Sequence, residues 1–182
     1  YVEDAQSMTA YARDRDLDLD ARLDLFVKVC EAVQHGHQGG VVHRDLKPGN
    51  VLVDPAIGAP KIIDFGIACA AGEGDEAQDV IGTISYMSPE RCAGDEHTDT
   101  RSDVYALGVL LYDLLCDARP HDVSTLQPSK ALRVIRETPP RPPSALVPSL
   151  RGDLELIMLK AVASSRAARY DSCLLYTSDA AD

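Results

Sequence analysis

The stretch VVHRDLKPGN, Val41 to Asn50, sets an Asp, a Lys and an Asn within six residues, directly behind a His-Arg pair. Transfer of a phosphoryl group to an alcohol needs few protein groups. A carboxylate must orient the hydroxyl and take its proton. A cation must face the transferring phosphate, and oxygen ligands must hold Mg²⁺ across the phosphates. Asp45 suits the first task and Lys47 the second. Asn50 suits the third if another oxygen ligand lies close by.

The elements around the trio predict where that ligand comes from. Asn50-Val51-Leu52-Val53 and Lys61-Ile62-Ile63-Asp64 are β-like runs, and the turn-rich residues Asp54 to Pro60 separate them. This pattern predicts an antiparallel hairpin, in which the first residue of one strand lies beside the last residue of the other. Asn50 and Asp64 are thereby expected to meet, far apart though they are in the chain.

Upstream, Asp20 to Gln38 reads as an amphipathic helix: Leu23, Phe26, Val27, Cys30, Val33 and His37 fall at helical spacing. Asp20 is the expected N-cap and Gly39-Gly40 the stop. His35 and His37 are expected to pack or to face the helix dipole rather than to ligate a metal. Downstream, Gly66 to Gly82 has no period and reads as a loop. Ser102 to Cys116 is apolar on more than one face, as befits a helix buried inside a helical domain, with Ser102 as its cap. After the Arg119-Pro120 break come a shorter helix, Ser129 to Glu137, a stiff linker from Pro139 to Pro143, and an amphipathic helix, Asp153 to Ala163.

Composition narrows the setting. The 182 residues are 45% hydrophobic and 26% charged, ordinary for a globular chain. A net charge of −11 argues against a general nucleic-acid or anionic-membrane binder, since both favour a basic face. No apolar run reaches the length of a membrane span, and Tyr1-Val2-Glu3-Asp4 does not open a signal peptide. Cys30, Cys69, Cys92, Cys116 and Cys173 are scattered and form no CxxC, which suits reduced thiols rather than a disulfide framework or a zinc site. The last residues, CLLYTSDAAD, match the translation of a transposon-end adaptor. Residues 173–182 are therefore expected to form a tail outside the fold, and residues 1–172 a single domain.

HRDLKPGN, then DFG at Asp64-Phe65-Gly66, then GTISYMSPE from Gly82 to Glu90, then DVYALG from Asp103 to Gly108 together resemble the protein-kinase catalytic domain. The wording around these motifs is similar to that of bacterial eukaryotic-type serine/threonine kinases. The resemblance implies an α+β fold: a mainly helical large lobe with a short catalytic hairpin, here without the small N-terminal lobe. It implies ATP and Mg²⁺ as cofactors and Ser/Thr-bearing proteins as partners. It also implies a cytoplasmic domain, and leaves membrane anchoring of the parent and oligomeric state open.

Carried over by position, Asp45 resembles the catalytic base and Lys47 the γ-phosphate contact. Asn50 and Asp64 resemble the Mg²⁺ ligands, Leu52 the residue under the adenine, and Val2 the hinge residue that bonds the base. His43 and Phe65 resemble members of a hydrophobic column, and Gly66 completes the DFG. Asp103 resembles a buried acceptor of catalytic-loop amides, and Glu90 with Arg169 a buried ion pair. Ser88 departs mildly from the family's Ala at that position. Thr83 resembles the threonine that bonds the catalytic Asp and Lys. Arg44 implies an activation segment ordered by phosphate, yet residues 67–81 hold no Ser, Thr or Tyr. Instead they carry Glu73, Asp75, Glu76 and Asp79, which read either as a solvated acidic run or as a source of a carboxylate that partly substitutes for the phosphate near Arg44.

The family's Gly-rich loop, its strand Lys and the paired helix Glu precede the hinge, where this chain begins. The chain by itself is therefore expected to be an inactive part of an active parent kinase. The alternative is a pseudokinase or docking module that binds partners without catalysis. A small-molecule phosphotransferase shares the Asp and Asn logic but lacks the GTISYMSPE and DVYALG segments.

Overall fold

The structure, a computed structural model, describes residues 4–65, 77–95 and 99–173. In chain order the elements are β1 (Gln6–Ser7), α1 (Met8–Asp14), α2 (Leu19–Gln38), β2 (Val51–Asp54), β3 (Ala59–Ile62), α3 (Ala77–Ile84), α4 (Pro89–Cys92), α5 (Thr100–Cys116), α6 (Pro128–Glu137) and α7 (Asp153–Ala161). The helices outweigh one small antiparallel sheet of order β1-β2-β3. This is the expected α+β arrangement of a mainly helical lobe with a short hairpin.

Helix α2 buries Leu25, Phe26, Val29, Cys30 and Val33, spaced three and four apart. Leu23 and Val27 lie on the flank of that stripe and are only half-buried. Asp18, not Asp20, is the N-cap: its Oδ1 accepts from the Ala21 N–H at 2.9 Å. The hairpin forms with Val51 opposite Ile62 and Val53 opposite Pro60. Its turn closes with Gly58 N–H donating to Asp54 O at 2.8 Å, and Gly58 has φ 65, a left-handed conformation glycine adopts without steric cost. Strand β1 adds to β2 through Gln6 opposite Val53, a pairing too short to leave a period in the sequence.

Helix α5 is the axis of the core. From Ser102 to Tyr112, and again at Leu114, every residue is buried. Its N-cap is Asp99, whose Oδ1 accepts from Arg101 N–H at 2.9 Å, so the cap lies upstream of the expected Ser102. Ser102 is one turn inside, and its hydroxyl donates to Glu90 Oε1 at 2.7 Å. The segment expected to be a loop through Gly82 is helical from Ala77, because α3 buries Ile81 and Ile84 in the core. Cys173, assigned from sequence to a tail outside the fold, is fully buried with its Sγ 3.7 Å from His37 Nδ1; it packs with the domain. Residues 174–182 lie outside the described residues. Among the described residues no helix is long and apolar enough to cross a membrane.

Gly108 sets the approach of α7 to α5. A Cβ there would stand 2.8 Å from both Ala161 Cβ and Val162 Cγ1. Ala at this position gains ~1 kcal/mol of helix propensity, but overpacking against a second helix costs ~1–3 kcal/mol. Gly108→Ala is therefore expected to lower stability slightly and Gly108→Val by about 3 kcal/mol. Thermal or urea unfolding followed by circular dichroism checks the order wild type, Ala, Val.

Candidate active site

Residues 41–46 run between α2 and the hairpin without regular structure, so their backbone amides need partners elsewhere. Asp103, 1% exposed on α5, supplies them. Its Oδ2 accepts from His43 N–H and its Oδ1 from Arg44 N–H, both at 2.8 Å. Oδ2 also lies 2.7 Å from His37 Nε2, which donates to it. His37 thus reaches from the end of α2 into the same carboxylate, a polar role that helical spacing alone does not reveal. Arg44 takes a left-handed backbone with φ 69, a conformation of order 1–3 kcal/mol that persists where its surroundings hold it. The Asp103 carboxylate holds that strained residue by its own N–H and by the one before it.

His43 carries the constraint onward. Asp45 N–H donates to its Nδ1 at 3.2 Å, so the ring proton is on Nε2, which donates to Ile63 O at 2.8 Å. The imidazole therefore ties the loop bearing Asp45 to the residue before Asp64. The Phe65 ring lies 4.8 Å from that of His43, tilted by 55°, and it also covers Gly36 of α2.

The trio itself converges. Lys47 Nζ is 3.0 Å from Asp45 Oδ2 and donates to Thr83 Oγ1 at 3.1 Å. Asn50 Nδ2 donates to Asp45 O at 2.7 Å and to Asp45 Oδ2 at 3.1 Å. One carboxylate oxygen of Asp45 is thus held from two sides, while Oδ1 has no partner among the described residues. The hairpin continues by one bond, Ile63 N–H to Asn50 O at 3.0 Å, which makes Asp64 the neighbour of Asn50's partner. Asp64 is exposed, with φ 60. Its carboxylate has no partner among the described residues.

These donors fit a hard cation. The Asn50 amide nitrogen is committed to Asp45, which leaves its carbonyl oxygen available, and Asp64 offers an uncommitted carboxylate. Mg²⁺ is commonly held by one or two such oxygens plus substrate phosphates. Leu52 is half-buried, on the side of β2 opposite the buried Val51 and Val53. Val2, Gly66 and the loop acids Glu73, Asp75 and Glu76 lie outside the described residues.

A second ionic centre fixes the far end of the 83–90 segment. Glu90 receives both arms of Arg169, Nη1 to Oε1 and Nη2 to Oε2, each at 2.8 Å. The Arg169 side chain is wholly buried and also donates to Ala163 O at 2.7 Å and Arg101 O at 3.1 Å. Arg91, in the same short helix as Glu90, donates to Arg44 O and so links this centre to the 41–46 segment. Burial by itself would raise the Glu90 carboxyl. The Arg169 bonds and charge, with the Ser102 hydroxyl, bring it instead to about 2.

The protein kinase domain family matches residues 1–167 of the chain. The serine/threonine-protein kinase PknB of Mycobacterium leprae is 35% identical over 175 residues, covering 94% of this chain and 28% of that protein. PknB of Mycobacterium tuberculosis H37Rv is 39% identical over 154 residues, covering 82% of this chain and 24% of the relative. The probable serine/threonine-protein kinase SCO3848 of Streptomyces coelicolor is 36% identical over 176 residues, covering 94% and 26%. The chain thus spans about a quarter of the length of these curated relatives.

Glu90 generates a pH prediction. Its folded value lies below the ordinary 4.5, so the ion pair contributes fully above about 4.5 and is lost as pH falls through about 2. Wild-type stability is expected to drop across that window. Glu90→Ala leaves the buried Arg169 charge unpaired and is expected to cost ~3–5 kcal/mol at neutral pH, with a flatter profile between pH 4.5 and 2. Asp103→Ala strips acceptors from buried donors at ~1–3 kcal/mol each, and is expected to unfold at markedly lower urea concentration. Equilibrium urea denaturation at several pH values measures both. Motif order, ion pair and catalytic-loop geometry converge on one reading: the chain belongs to the protein kinase domain family.

Proposed function

We propose that the full-length protein is an ATP-dependent protein serine/threonine kinase. The observation that carries this reading is the Asp45 carboxylate, held through Oδ2 by Lys47 and Asn50 while Oδ1 is left open. An incoming Ser or Thr hydroxyl donates to that open oxygen, and Asp45 accepts its proton as the oxygen attacks the γ-phosphorus of ATP and the bond from that phosphorus to the bridging oxygen breaks, releasing ADP. Lys47 sets a positive charge beside the carboxylate and stays oriented through Thr83. Asn50 and Asp64 would supply the oxygens that hold Mg²⁺, and Leu52 would pack under the adenine. Bound Mg²⁺ offsets the phosphate charge.

The serine/threonine branch is favoured by Lys47 close behind Asp45 and by the relatives, which are serine/threonine-protein kinases. Proteins bearing Ser or Thr hydroxyls are then the substrates, and dependence on ATP places the domain in the cytoplasm.

The test is transfer of labelled γ-phosphate from Mg-ATP to protein acceptors by the full-length protein, with the acceptor residue identified. Label is expected on Ser or Thr. Asp45→Ala is expected to lose ~10²–10⁴-fold in rate, and Asp64→Ala to lose activity similarly, each with an unchanged circular dichroism spectrum. Near-wild-type transfer by a folded Asp45→Ala protein contradicts the assignment.

A further inference from the structure

We propose that Arg119 is a positioning residue for this site: from the turn after α5 it clamps residues 83–86 so that Thr83 stays on Lys47. The proposal rests on the kinase reading above. In sequence Arg119 marks only the break before Pro120, and no motif includes it.

The clamp has three contacts. Arg119 Nη1 donates to Ser85 Oγ at 2.9 Å, and its guanidinium carbon stands 5.3 Å from the centre of the Tyr86 ring. Tyr86 in turn donates its hydroxyl to Asp113 Oδ2, at 2.5 Å, on α5. Burial first, then the Asp113 charge, push the Tyr86 phenol upward, so it stays protonated and keeps donating. Ser85 and Tyr86 are each 6% exposed, so these contacts are screened little by water. Ser85 uses both faces of its hydroxyl, accepting from Arg119 and donating to Ile81 O at 2.8 Å.

The clamp passes to the chemistry in short steps. Tyr86 N–H donates to Thr83 O at 3.1 Å, Thr83 Oγ1 accepts from Lys47 Nζ at 3.1 Å, and Lys47 Nζ is 3.0 Å from Asp45. Arg119 touches none of the reacting groups. It acts through Ser85 and Tyr86 on the orientation of Lys47. Helix α5 thus fixes the site from both ends: Asp103 near its start holds the catalytic loop, while Asp113 and the Arg119 turn at its finish hold the Thr83 segment.

The full-length protein with Arg119→Ala, Arg119→Lys, Ser85→Ala and the Arg119→Ala/Ser85→Ala pair tests this. Arg119→Ala is expected to lower kcat at saturating Mg-ATP by ~10-fold or more, with KM for ATP within about twofold. Arg119→Lys keeps a donor for Ser85 and is expected to recover part of the rate. The double variant is expected to lose less than the product of the single losses, because both remove one contact. Amide exchange at residues 83–87 is expected to speed up while that of α5 stays unchanged. An Arg119→Ala protein with wild-type kcat, or an active one with unaltered 83–87 exchange, overturns the proposal. So does a loss of kcat accompanied by faster exchange throughout α5, which marks a general loss of stability. A wild type that transfers no phosphate overturns the kinase reading itself, and the catalytic part of this inference with it.

Discussion

The buried carboxylate of Asp103 is the interaction on which the site hangs. Residues 41–46 have no helix or strand to satisfy their amides, and a segment of that kind does not pass through a core unless something else accepts from it. Asp103 does so for His43 and Arg44, and His37 completes its coordination. Because α5 is buried along most of its length, the acceptor cannot move independently of the core. The loop therefore inherits the rigidity of the helix.

From there the constraint spreads through single groups. The fixed tautomer of His43 couples Asp45 to Ile63, and hence the 41–46 segment to the end of the hairpin. Asn50 closes the ring by bonding both the backbone and the side chain of Asp45. Glu90 and Arg169 anchor the other wall, and Arg91 reaches across to Arg44 O. Groups held in this way lose little entropy when a ligand arrives, which is the advantage of a preorganised site.

The sequence discloses these features unevenly, for physical reasons. The hairpin was legible because two β-branched runs flank a turn-rich segment, and the buried helix because its apolar residues leave no polar face. Helix starts differ from the sequence expectation by about one turn or less, since Asp18 and Asp20, or Asp99 and Ser102, offer equivalent capping chemistry until the backbone chooses. Helix α3 was hidden by its neighbours: an acidic, glycine-rich stretch masks the Ile81 and Ile84 pair. His37 is the clearest omission. Its spacing marks it as an inward-facing residue, but only the fold brings a distant carboxylate to meet it. Arg119 and Arg91 are likewise invisible, because an arginine in a turn or in a single turn of helix carries no periodic signal.

The register of the hairpin has a consequence for self-association. Asn50 with Ile63 and Leu52 with Lys61 face each other across the ladder, so Pro60, opposite Val53, points its ring nitrogen away from β2. The missing N–H therefore costs the sheet nothing internally. Instead it deletes a donor from the outer rim of β3, where another strand could otherwise dock, and the adjoining Lys61 adds a charge there. That rim is thereby poorly suited to templating a neighbouring chain, which guards against edge-to-edge aggregation.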